Sequence, residues 1–128
     1  MRRARLGPGG EPLLWFGVLG APAAWALTHL AGVELSQASC MEAARGGGWN
    51  LHFDAWTIAV FATMAAIAVA AEVAAVLTFR ATRDASSAPP RGRIHFLAII
   101  GMTIGPLFLA MILMGGLGAV LLERCQQG

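Results

Sequence analysis

Lysine is absent from the chain, and charged residues of all kinds make up only 12% of its 128 positions, about half the roughly 25% usual in soluble domains. So few charges cannot clothe the surface of an ordinary water-facing domain. With 57% hydrophobic residues and a mean hydropathy of +0.66, the excess apolar surface must face lipid. Reaction machinery is lacking as well: no lysine-bearing loop cradles phosphate, no cysteine or histidine spacing fits zinc, and no serine or thiol stands in an activating arrangement. No enzyme activity, no cofactor and no nucleic-acid partner is expected. The expected partners are the bilayer and other membrane protein subunits.

What is present is three long apolar runs, Leu13 to about Cys40, Ala55 to Phe79 and Phe96 to Leu122. A helix crosses the hydrocarbon core in about 20 mostly apolar residues, and irregular backbone there would leave N–H and C=O groups unpaired. The fold class expected is therefore all-α, a single transmembrane domain over 1–128 with helices at about 13–40, 55–79 and 96–122. Residues 1–26 have a rival reading as a signal peptide, with Arg2, Arg3 and Arg5 before an apolar centre and small residues at Ala21, Ala23, Ala24 and Ala26. The apolar run continues through Leu27, Leu30, Ala31 and Val33, which favours an uncleaved anchor. The arginine pair lacks the flanking residues of a twin-arginine signal.

Arginine placement gives an expected orientation. Arg2, Arg3 and Arg5 precede the first run, and Arg80, Arg83, Arg91 and Arg93 separate the second from the third, whereas only Arg45 lies between the first and second. Positive residues collect on the cytoplasmic side. The amino terminus and an inner loop at 80–95 are thus expected inside a plasma (inner) membrane, with an outer loop at 41–54 and the carboxyl terminus outside. The inner loop, "RATRDASSAPPRGR", reads as a solvated connector whose arginines rest near anionic lipid.

In that topology Cys40 and Cys125 share the oxidising face, and a disulfide between them is the natural expectation; paired soft-metal ligands or free thiols are the alternatives. The loop-entropy estimate of about 4 to 5 kcal/mol assumes a free coil, so helices already held in a bilayer gain less. The bridge would set a register between two parallel helices. His29 and Met114 each lie eleven residues before a cysteine, roughly 16 Å along the helix on a preserved face. Gly32 and Ser36 share the His29 side, and Met111 and Gly118 the Met114 side. Histidine with methionine suits a haem iron or copper(I). The plainer expectation is methionine as filler and His29 hydrogen-bonded to Thr28, Ser36 or a partner. The other histidines, His52 and His95, fall on different elements, so the paired ligands of a two-haem cytochrome are not available.

Two acids lie within the runs. Glu34 falls near the end of the first, where it can reach water, Arg45 or Arg124. Glu72 is embedded in "AAIAVAAEVAAVLTF", where an acid near a helix centre costs about 2.5 to 3.5 kcal/mol on insertion scales. Its depth is short of the centre, and no basic residue shares it. A neutral acid hydrogen-bonded to another helix is expected, with proton relay or substrate coupling as the alternative.

Small residues mark expected packing faces: Ala62, Ala66, Ala70 and Ala74 four apart in the second helix, Gly101 and Gly105 four apart in the third, and Gly17, Ala21, Ala24, Thr28 and Gly32 on one side of the first. Gly105-Pro106 should kink the third helix, its freed carbonyl satisfied by Thr103 or a neighbour. Trp15, Trp49 and Trp56 suit interfacial belts, and Trp25 shares a face with His29. The outer loop, "MEAARGGGWNLHFDAW", turns at Gly46 to Gly48 and returns through Trp49, Leu51, Phe53 and Trp56. Asp54 suits a helix N-cap, and its spacing from His52 is too common to mark a site.

The segment "GVLGAPAAW" at Gly17 to Trp25, with His29 and Cys40 after it, then "HFLAIIG" at His95 to Gly101, Leu107-Phe108 and a closing Cys125, resembles small multi-helix membrane proteins encoded beside bacterial cytochrome c oxidase genes. The resemblance implies an accessory or assembly role around a haem-copper oxidase. The residues alone leave two other functions open: a homo-oligomeric transporter or channel using Glu72, and a haem or copper carrier using His29 and Met114.

Overall fold

The computed structural model of the chain describes residues 10–46, 51–83, 91–122 and 125, with the side chains of 51–53 and 91 outside that description. It is all-helical: α1 spans Gly10–Ala44, α2 Leu51–Thr82 and α3 Arg91–Leu121. Each is long and apolar enough to cross a membrane, as in a multi-pass membrane protein. At 35, 32 and 31 residues the helices measure about 46 to 52 Å, well beyond the roughly 30 Å hydrocarbon core.

The helices exceed the apolar runs because a backbone stays helical for as long as its hydrogen bonds are met, whether or not the residues suit lipid. Pro12 falls in the first turn of α1, where no N–H is needed, and Glu11 beside it suits the positive end of the helix dipole. α1 then continues past Cys40 to Gly46, whose φ of 82° is the left-handed conformation that ends helices at glycine. There the Gly46 N–H donates to the Ala43 carbonyl at 3.1 Å. α2 opens at Leu51, so Asp54 lies in its first turn and does not cap it from outside. Pro22 and Pro106 are both carried inside continuous helix.

α1 and α3 run parallel with α2 antiparallel between them, and each helix packs on both others. The main ladder of buried positions advances in alternating steps of three and four: Leu14, Gly17, Ala21, Ala24 and Thr28 on α1, Ala68, Ala71, Ala75, Thr78 and Thr82 on α2, and Ala98, Gly101 and Gly105 on α3, with Val18, Gly20, Thr57, Ala74 and Ile112 buried besides. That 3.5-residue period is the seam of near-parallel, coiled-coil-like packing. Ala62, Ala66 and Ala70 lie outside it on the exposed face of α2, and only Ala74 of that ladder is buried. Steps of exactly four turn about 40° each around a helix, so the ladder winds from outside to inside.

Backbones approach most closely where Gly17, Ala75 and Gly101 meet. A Cβ added at Gly17 would stand 2.8 Å from the Ala75 nitrogen, and one at Gly101 would stand 2.9 Å from the Gly17 carbonyl oxygen. Towards the cysteines the helices are held apart by Phe61 of α2, whose ring faces Gly32 of α1 and both Gly115 and Gly116 of α3. Between these levels lies a core of Ala21, Ala24, Ala68, Ala71 and Ile112, edged by Trp25, Met64 and Phe108.

Candidate functional site

Trp25 and His29 lie one turn apart on α1. Side chains on a helix lean toward its N-terminus, so the imidazole lies over the indole. Their ring centroids are 5.8 Å apart with planes inclined by 25°. Trp25 in turn meets Phe108 of α3, centroids 5.5 Å apart. The array Phe108, Trp25, His29 leads from the seam between α1 and α3 to the surface of the bundle, where His29 is exposed among the exposed Leu27, Leu30 and Val33. Its lean carries the ring away from Glu34 and Ser36, the polar positions that follow it on α1, and deeper into the apolar span.

The hydroxyls expected to receive His29 are directed to their own helix. Thr28 donates to the Ala24 carbonyl at 2.7 Å and Ser36 to the Val33 carbonyl at 2.8 Å. The described contact of the imidazole is Trp25. The register of α1 against α3 is constant, with Gly17 beside Gly101, Trp25 beside Phe108 and Cys40 beside Cys125. His29 and Met114 thus lie near one depth, both exposed, Met114 by 77%; Met111 is exposed too. Among the described residues no group of three or more His, Cys, Asp or Glu could hold a metal ion.

Glu72 sits at the α2–α3 contact. Its Oε2 is buried without a hydrogen-bond partner among the described residues, and it lies in the volume that a Cβ on Gly105 would fill. Gly105 precedes Pro106, whose ring nitrogen offers no hydrogen to the Met102 carbonyl one turn back. Thr103 does not replace that bond, since its hydroxyl donates to Ile99 at 2.8 Å.

The ends of the bundle differ in chemistry. At one end Cys40, on the last turns of α1, and Cys125, just beyond α3, stand at disulfide distance with Cα atoms 5.6 Å apart. Glu34 is exposed on the same stretch of α1. Trp15 and Trp56 are exposed near opposite ends of the bundle, by 46% and 65%. Trp49, the ring of His52, Arg124 and the arginines before Gly10 lie outside the described residues.

At the other end His95 makes a contact that sequence reasoning missed by treating it as a histidine on an element of its own. Its Nδ1 is 3.0 Å from the Thr82 hydroxyl, and its ring stacks on Phe79 with centroids 4.9 Å apart. Thr82 Oγ1 also lies 2.9 Å from the Thr78 carbonyl. The same oxygen lies 3.3 Å from the Phe79 carbonyl, so the imidazole tautomer sets whether Thr82 or Nδ1 donates in their bond. The signal was the 3.5-residue ladder itself, which carries Thr78 and Thr82 onto the face that α3 covers.

Comparison of the chain with protein-family models, with curated proteins and with solved structures finds no match.

Proposed function

We propose that this chain is an accessory or assembly subunit of a larger respiratory membrane complex of the haem-copper oxidase type, in a bacterial inner membrane with its amino terminus inside. The subunit role rests on His29. An imidazole carries both a hydrogen-bond donor and an acceptor, and a polar group left unpaired in an apolar setting costs on the order of 1 to 3 kcal/mol. Held by Trp25 on the outside of the bundle, His29 is placed to meet a group on another chain. The respiratory setting draws on the resemblance of "GVLGAPAAW", "HFLAIIG" and the two cysteines, and the orientation on the arginine distribution. Glu72, the residue a homo-oligomeric transporter would use, is turned into the notch at Gly105 against α3, whereas His29 faces the outside of the bundle.

The test is affinity purification from the native membrane in mild detergent, with co-purifying chains identified by mass spectrometry. Respiratory subunits in stoichiometric amounts are expected with the wild type. His29→Phe keeps an aromatic ring over Trp25 but removes the nitrogens, and it should reduce that recovery while leaving the isolated chain folded. Recovery of further copies of this chain alone would defeat the proposal.

A further inference from the structure

The end of the bundle where α2 finishes and α3 begins carries a set of residues that the subunit role does not use. Arg80, Arg83 and Arg93 are exposed there, and Glu11 of α1 is the one acid among the described residues at that end. His95 is held at the same end by Phe79 and Thr82. Below the arginines, Val73 and Leu77 on α2 and Phe96 and Ile99 on α3 are exposed by 42 to 61%. Val73, Leu77 and Arg80 share one helix face by their spacing, as do Arg93 and Phe96. Each exposed apolar track therefore ends in a guanidinium at the point where the apolar span stops. Guanidinium groups match phosphate oxygens in charge and in fork geometry, and a track of apolar side chains beneath them matches an acyl chain. A soluble phosphate compound would use the first feature and leave the second without purpose.

We propose that this end of the α2–α3 pair binds the headgroups of anionic phospholipids, a phosphate meeting Arg80 and Arg83 above the Val73–Leu77 track or Arg93 above the Phe96–Ile99 track, with the acyl chains lying along that track. The site depends on the helices spanning a bilayer and is independent of the subunit role.

The test is native mass spectrometry of the full chain released by mild detergent from vesicles of equal phosphatidylglycerol and phosphatidylcholine. Phosphatidylglycerol adducts should exceed phosphatidylcholine adducts several-fold. Replacing Arg80, Arg83 and Arg93 together by Gln should bring the ratio close to one, whereas Arg45→Gln at the other end should leave it unchanged. Helicity and the Cys40–Cys125 link, checked in each variant, separate lost binding from lost fold. Equal retention of the two lipids by the wild type, or an undiminished preference in the triple variant, would overturn the proposal. Displacement of phosphatidylglycerol by inorganic phosphate would overturn it too, by assigning the arginines to a soluble ligand.

Discussion

The Glu72 carboxyl occupies, against α3, the space that a side chain on Gly105 would need. Gly105→Ala must therefore displace the acid or part the helices, and overpacking of this kind costs about 1 to 3 kcal/mol, more than the roughly 1 kcal/mol that alanine gains over glycine in helix propensity. Glu72→Ala vacates the notch, so the double variant should recover much of the loss. Detergent unfolding of the four proteins measures the coupling. Strictly additive losses would show that the two residues do not meet.

Gly101 and Ala66 make a second comparison, since both were read from the sequence as small residues at a packing face. Gly101 lies against the Gly17 carbonyl and Ala75, whereas Ala66 faces outward. Gly101→Val should destabilise the folded chain by about 1 to 3 kcal/mol. Ala66→Val should stay within about 0.5 kcal/mol of wild type, as substitutions outside packed features do. Similar losses at both sites in thermal unfolding of the isolated chain would contradict this placement of the α2 face.

That contrast shows what the amino-acid pattern could and could not disclose. Three apolar runs required three helices, because lipid leaves the backbone no other way to satisfy itself. The pairing of Cys40 with Cys125 followed from the even number of crossings between them, α2 and α3, which returns the chain to the same face. The packing face of α2 was harder to read, because in a helix so rich in alanine both a four-residue ladder and a 3.5-residue ladder can be traced. Only neighbours choose between them, and Gly17, Gly20 and Gly101 choose Ala71 and Ala75. His29 was legible as a polar residue in an apolar span, but its direction depends on stacking with Trp25, and the role of His95 depends on Thr82, thirteen residues away across an intervening connection.

Reducing the Cys40–Cys125 pair should leave a folded bundle. Each of the three helices packs on both others, with buried positions from Leu14 to Thr28 on α1, and the cysteines join α1 and α3 only at one end. The loss on reduction, or in Cys40→Ser, should thus fall below the roughly 4 to 5 kcal/mol that loop closure in a free coil would predict. Unfolding in detergent with and without reductant supplies the number. A reduced chain without cooperative unfolding would mean that the link, and not the helix contacts, holds the bundle.

Phe61 should be the most damaging single truncation on α2. Its ring is the one large group set between Gly32 on one side and Gly115 and Gly116 on the other, and none of these glycines has a side chain with which to close the gap. A cavity costs most where its surroundings cannot collapse, and Phe→Ala in packed interiors costs about 3 to 5 kcal/mol. Lipid weakens the hydrophobic part of that figure, because acyl chains are as apolar as the ring, but leaves the lost van der Waals contact. Phe61→Leu fills part of the space and should cost less than Phe61→Ala, and Phe61→Ala should cost more than Leu77→Ala, whose side chain is half-exposed on the same helix. Unfolding midpoints of the three variants in one detergent test the order. Equal midpoints for Phe61→Ala and Leu77→Ala would mean that the ring faces lipid and that the glycines on α1 and α3 meet without it.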